Sequence, residues 1–220
     1  MGLPSIQIET APNPRHAVIW LHGLGADGRD FEPIVPELVD RQWPPLRFVF
    51  PDAPMRPITI NGGMPMRAWY DISGQEIAQR QDEIGIRASI GLLNDLIAGE
   101  VARGVASENI LLAGFSQGGA IVLAGGIRHA QRLGGIIALS TYLPMAEKTD
   151  AEISAANRNV PLFMAHGKLD PTISHALGEM SRDYLKQRGY VVDWHTYPMA
   201  HQVCAEEIAD LKHWIGTRLA

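Results

Sequence analysis

Ser116, Asp170 and His201 are the residues of this chain whose types and spacing could perform nucleophilic chemistry. Ser116 lies in Gly114-Phe115-Ser116-Gln117-Gly118. An apolar run, residues 109–113, precedes it, and an Ala/Ile/Val/Leu stretch, residues 119–127, follows. A serine between two near glycines at a strand-to-helix turn is held in a strained conformation with its hydroxyl exposed. Side chains in place of those glycines would clash. Serine is a weak nucleophile near neutral pH and needs a base to take its proton as it attacks. On such a turn an acid and then a histidine follow in chain order, each after a later strand. Residues 160–165 read as a buried strand running into the polar turn His166-Gly167-Lys168-Leu169-Asp170-Pro171. Residues 190–197 read as the next strand, running into Pro198-Met199-Ala200-His201. The three residues then stand at the carboxyl ends of three successive strands, the edge where sites form in an open α/β sheet. In that arrangement imidazole takes the hydroxyl proton, the carboxylate fixes its tautomer, and the serine attacks a carbonyl carbon.

Each of the three has a plainer reading and rivals. Ser116 could be a turn serine, and Asp170 could simply cap the helix expected from Thr172. Asp193 lies within a strand and Asp150 in a charged loop, so both fit the acid role less well. His195 falls within a strand, and His166 ends one and is placed to hold the Asp170 loop. His22 precedes His201 in the chain and breaks the expected order, and it reads instead as shaping the glycine-rich loop it begins. Cys204 lies on no sharp turn and reads as a buried small apolar residue. The histidines show neither H-E-x-x-H nor paired-cysteine spacing, so no metal is expected. Gly23-Leu24-Gly25-Ala26-Asp27-Gly28 superficially matches a dinucleotide fingerprint but lacks an acidic ribose partner after a second strand.

The elements that must position these residues can be read from periodicity. Residues 5–10 alternate as an edge strand. Residues 16–21, 46–50, 109–115 and 135–140 are compact apolar runs expected as strands. Phe31, Ile34, Val35 and Leu38 have helical spacing over residues 31–39. Ile86, Ile90, Leu93, Ile97 and Val101 form the apolar stripe of a long helix ending near Gly104. Further helices are expected over residues 172–188 and 205–219. Alternating strands and helices without a linker imply one α/β domain over residues 1–220, a mostly parallel sheet with helices on both faces.

Residues 51–77 break the alternation and are longer than a usual connection, which makes them a candidate lid or substrate-binding loop. The loop carries Met55, Met64, Met66, Trp69 and Tyr70, adaptable and aromatic side chains suited to an acyl chain. The plainer reading is a satellite core beneath the loop.

With 220 residues the chain can bury a good-sized core. Its net charge of -5 argues against a general nucleic-acid binder. No secretory leader is expected, because no basic start followed by an apolar core appears. No apolar run approaches the roughly 20 residues that span a bilayer, so stable membrane insertion is not expected. Cys204 is the single cysteine, which suits a reducing, cytoplasmic setting.

Five segments resemble one family. They are Leu21-His22-Gly23-Leu24-Gly25-Ala26-Asp27-Gly28; Phe50-Pro51-Asp52-Ala53-Pro54; and Ile58-Thr59-Ile60-Asn61-Gly62-Gly63 with Trp69-Tyr70-Asp71. The fourth is Gly114-Phe115-Ser116-Gln117-Gly118-Gly119 with Leu139-Ser140-Thr141-Tyr142, and the fifth is His166-Gly167 with Asp170 and His201. Together they resemble the small carboxylesterase/phospholipase group of α/β-hydrolases, which includes acyl-protein thioesterases and bacterial carboxylesterases. The resemblance implies an α/β-hydrolase fold without a large cap domain. It implies hydrolysis of carboxylic esters, lysophospholipids or acyl thioesters, with no metal or organic cofactor. It implies Ser116 as nucleophile, Asp170 as acid and His201 as base, with the backbone N–H groups of Leu24 and Gln117 as the oxyanion hole. Met64, Met66, Trp69 and Tyr142 are then the candidate substrate-binding side chains. Many members are homodimers, and apolar residues of the 51–77 loop offer a surface for pairing. Gln202 stands where the family would have a small residue, often serine, which bears on substrate preference. The reading favoured here is a serine carboxylesterase for esters of small to medium acyl groups. The alternatives are an acyl-protein thioesterase or lysophospholipase acting on long chains, and a non-catalytic binding protein of the same fold.

Overall fold

Buried β-branched and aliphatic runs need a surface on each side, and they find it in a central sheet. The computed structural model describes residues 2–74 and 81–219. The strands are β1 (Ser5–Glu9), β2 (His16–Leu21), β3 (Leu46–Pro51), β6 (Ile110–Phe115), β7 (Gly135–Leu139), β8 (Leu162–Gly167) and β9 (Val192–Tyr197). Two more strands, β4 (Met55–Ile58) and β5 (Met64–Arg67), form a separate hairpin. The main sheet runs β1-β3-β2-β6-β7-β8-β9. Its β1 edge pairs antiparallel with β3, and every other pairing is parallel.

The period of two along each strand divides the core into two halves. Ala17, Ile19 and Leu21 of β2, with Ile110 and Leu112 of β6, face one layer. Its helices are α2 (Glu83–Ala102), α3 (Gln117–Arg128) and α5 (His175–Gln187). Val18 and Trp20, with Leu111 and Ala113, face the other. That layer holds α1 (Val35–Leu38) and α6 (Ala205–Gly216). Strands buried on both faces read as continuous apolar runs, which is why the sequence signals them so plainly. A further helical turn, α4 (Thr149–Glu152), lies between β7 and β8. No helix among the described residues is long and apolar enough to cross a membrane.

Three expectations need correction. The helix expected over residues 31–39 is a 3-10 turn, Glu32–Ile34, followed by the single α turn α1. Pro33 and Pro36 lack the N–H that a longer helix would use, and Val39 is already extended. The helix expected from Thr172 begins instead at His175, because Ser174 Oγ accepts the Leu177 N–H and residues 170–173 are used in a turn. The stretch from Pro51 is not irregular. It holds the β4–β5 hairpin, closed by a 3-10 turn and left-handed glycines at Gly62 and Gly63. Pro57 faces Pro65 across this hairpin. Two facing prolines need a non-hydrogen-bonded pair, since neither has an N–H to give. The last part of the expected loop, residues 75–77, lies outside the described residues.

Candidate active site

The turn between β6 and α3 places Ser116 at the C-terminal edge of the sheet. Ser116 has φ 54° and ψ −119°, a conformation that L-residues rarely adopt. A Cβ on Gly118 would lie 2.3 Å from the Leu21 carbonyl oxygen, and one on Gly114 would lie 2.5 Å from Gly118. The close approach of the turn to β2 therefore requires Gly118, and the tightness of the turn itself requires Gly114. The α3 helix that follows is buried from Gln117 to Ile127, so the elbow rests on the centre of the molecule.

The three sequence-assigned side chains meet. Ser116 Oγ lies 2.9 Å from His201 Nε2, and His201 Nδ1 lies 2.7 Å from Asp170 Oδ2. They project from the ends of β6, β8 and β9, with β7 between the first and second, so the strands are not successive neighbours. The Asp170 side chain is fully buried, while His201 keeps some exposure to the site mouth. Asp170 Oδ1 accepts the Thr172 and Ile173 N–H groups at 2.8 and 2.9 Å. The contacts that hold the turn and the contact to His201 thus coexist, one on each oxygen. With Nδ1–H donated to the carboxylate, His201 Nε2 is free to accept the serine proton. The Phe115 ring packs 4.7 Å from the imidazole centroid.

The rivals are occupied elsewhere. Asp193 pairs with His195, and Asp150 with Arg188. His166 Nε2 lies 2.9 Å from the Ile173 carbonyl and 3.4 Å from Asp170 Oδ2, so it holds the turn that carries the acid. Burial lowers its pKa, which keeps this ring neutral. Cys204 is the residue before α6, and burial raises its thiol pKa.

The glycine-rich loop after β2 lies against the elbow. Gly23 sits beside Ser116 Cβ. His22 Nε2 accepts the Ala53 N–H at 3.0 Å, and Nδ1 lies 2.7 Å from the Gly23 carbonyl. Only the neutral Nδ1–H tautomer satisfies both partners. Burial lowers the His22 pKa and favours that form. The Leu24 and Gln117 N–H groups donate to no other group among the described residues.

The hairpin closes one side. Met64 is exposed, and Met66 is half-buried with its sulfur near Gly25. Trp69 and Tyr142, expected among the substrate contacts, are instead closed off from solvent at 0% and 2% exposure. Trp69 Nε1 donates to the His22 carbonyl at 2.9 Å, and its backbone N–H donates to Gln117 Oε1 at 2.8 Å. Its own carbonyl accepts from Ser89 Oγ. Gln117 Nε2 donates to the Tyr70 carbonyl at 2.7 Å, and the Tyr70 and Tyr142 hydroxyls meet at 3.1 Å. Burial pushes the Tyr142 hydroxyl pKa up to about 12. Two roles went unread in the sequence: the Gln117 side chain as a clip on residues 69–70, and a Thr141 hydroxyl bonded to the Ser116 carbonyl at 2.7 Å. Neither has a local signal. Thr141 lay in a segment singled out by resemblance, without a role attached.

A mostly parallel sheet with a strained serine at its C-terminal edge, aligned with a histidine and a buried aspartate, defines an α/β-hydrolase. The chain belongs to the phospholipase/carboxylesterase family, whose profile matches residues 3–219. It is 38% identical to acyl-protein thioesterase 1 of Neurospora crassa over 225 residues, covering 98% of this chain and 92% of that one. A probable carboxylesterase of Oryza sativa subsp. japonica is 32% identical over 225 residues, covering 99% of this chain and 83% of that one. The solved structure of Arabidopsis thaliana SOBER1 superposes with a TM-score of 0.89 at 29% identity, covering 94% of this chain and all of that one. The protein is a serine hydrolase of this family.

Proposed function

We propose that the protein hydrolyses long-chain acyl thioesters and esters through an acyl-enzyme on Ser116. The alignment of Ser116 Oγ, His201 and Asp170 at 2.9 and 2.7 Å carries the reading of the chemistry. Likeness to the fungal acyl-protein thioesterase over nearly the whole chain favours long acyl groups over small to medium ones. Met66, whose sulfur lies near Gly25, and the exposed Met64 of the same strand offer the apolar, adaptable side chains such a chain needs.

Ser116 Oγ attacks the acyl carbon as its proton passes to His201 Nε2. Asp170 stabilises the imidazolium that forms. The carbonyl oxygen becomes an oxyanion between the Leu24 and Gln117 N–H groups, the second at the N-terminus of α3. The intermediate collapses, and the leaving thiolate or alkoxide takes the proton from Nε2. Water, deprotonated by His201, then attacks the acyl-enzyme and releases the acid and free Ser116.

The test is kcat/KM for p-nitrophenyl esters from acetate to palmitate, alongside a palmitoyl thioester, with Ser116→Ala as the blank. Rising Ser116-dependent rates toward palmitate support the proposal. A peak at acetate or butyrate moves the assignment to a short-chain carboxylesterase. Absence of Ser116-dependent turnover at every length refutes hydrolysis.

A further inference from the structure

The two amides proposed above to stabilise the oxyanion do not orient themselves. A peptide unit is planar and trans, so its C=O and N–H point in opposite directions. The Leu24 N–H shares a peptide unit with the Gly23 carbonyl, and the Gln117 N–H shares one with the Ser116 carbonyl. Both carbonyls are held on the far side. Thr141 Oγ1 donates to the Ser116 carbonyl at 2.7 Å, and His22 Nδ1 donates to the Gly23 carbonyl at 2.7 Å. We propose that Thr141 and His22 are positioning residues, each aiming one oxyanion donor by fixing the carbonyl of the same peptide unit. This rests on the hydrolase reading above.

Each holder is itself fixed. Ser140, just before Thr141, has φ 47° and donates its N–H to the Ala165 carbonyl at 2.8 Å. That bend at the end of β7 brings Thr141 against the start of α3, where a Cβ on Gly119 would lie 2.9 Å from Thr141 Cβ and Cγ2. Thr141 is buried, so water does not compete for its hydroxyl. The Ser116 carbonyl also accepts the Ala120 N–H at 3.1 Å, the first bond of α3, so the hydroxyl is the second of two donors on it. His22 is fixed by the Ala53 N–H on Nε2 and by Trp69 Nε1 on its carbonyl. The two donors thus come from separate loops, and each is set by a side chain that touches no substrate.

An oxyanion donor acts on a carbonyl oxygen far more than on a thiocarbonyl sulfur, which accepts hydrogen bonds weakly. The ratio of ester to thionoester turnover therefore reports the aim of the donors rather than the placement of Ser116 or His201. The experiment measures kcat and KM for p-nitrophenyl butanoate and p-nitrophenyl thionobutanoate in wild type, Thr141→Val, Thr141→Ser and Ser116→Ala. Loss of a whole donor costs about a hundred- to a thousandfold. Misaiming one by Thr141→Val is expected to lower ester kcat about ten- to a hundredfold, with KM within about twofold. The ester-to-thionoester ratio should fall by the same factor, and Thr141→Ser should restore it. An equal fall for both substrates would overturn the proposal, as would wild-type ester kcat in Thr141→Val. If Thr141→Val does not fold, His22→Phe carries the same ratio test at the other donor. Wild-type protein with no Ser116-dependent ester turnover would sink the hydrolase reading itself, a distinguishable failure.

Discussion

Asp170 Oδ1 holds two backbone N–H groups while Oδ2 faces His201, so one carboxylate serves the turn and the imidazole at once. Asp170→Asn separates these tasks. The amide oxygen can still accept the Thr172 and Ile173 N–H groups, so the fold should persist. The amide nitrogen opposite Nδ1 is a donor, and it favours the wrong imidazole tautomer. A kcat loss of about three to four orders of magnitude is expected, with Tm lowered by only a few degrees. Circular dichroism melting and steady-state kinetics on the same preparation check this, and a comparable loss of both would contradict it. That Ser116, Asp170 and His201 meet was legible in the sequence, because the sharp turn and the chain order constrain their placement. Thr141 and the Gln117 clip were not, because their partners lie 25 and 48 residues away in the chain. Only the folded sheet brings such pairs together.

The strands and the long helix were legible for a different reason. Burial on both faces leaves a continuous apolar run, and burial on one leaves a stripe, as at Ile86, Leu93 and Ile97 of α2. The β4–β5 hairpin carried neither pattern. Its exposed Met55 and Met64 and its paired prolines read as loop residues. Burying a methionine against an apolar partner contributes about 1.5–3 kcal/mol when complete. Partial burial of Met64 against an acyl chain should then be worth about tenfold in affinity. Met64→Glu is expected to lower kcat/KM for p-nitrophenyl palmitate about tenfold while leaving the butanoate within about twofold. Equal effects on both substrates would remove the hairpin from the acyl path.

Across the whole molecule, buried ionisable groups set opposing pH limits on stability. His16, His22, His129 and His166 all have pKa values lowered from 6.5 by burial. Below about pH 6.5 the unfolded chain takes up protons that the folded chain does not, so stability is present above that pH and lost as pH falls. Glu207 acts in the other direction. Its carboxyl is buried in α6, and desolvation raises its pKa to about 8, a hydrogen bond from the Cys204 N–H drawing it partly back. The folded chain therefore keeps a proton that the unfolded chain releases, and that stability is full below 4.5 and lost as pH rises through about 8. Glu207→Gln is neutral throughout. Its Tm relative to wild type should climb between pH 5 and pH 8.5. A constant difference across that range would mean the carboxylate is ionised and paired in the fold.

The left-handed backbone of Ser116 has a consequence for heritable change. The position proposed to perform the chemistry also opposes folding, because a side chain at φ 54° is held against its preference. Two inactive variants isolate the effect, since neither keeps the hydroxyl. Ser116→Gly should be more stable than Ser116→Ala by about 1 kcal/mol in urea unfolding. A selection that rewarded stability alone would then drift toward glycine here and remove the hydroxyl that the proposed chemistry needs.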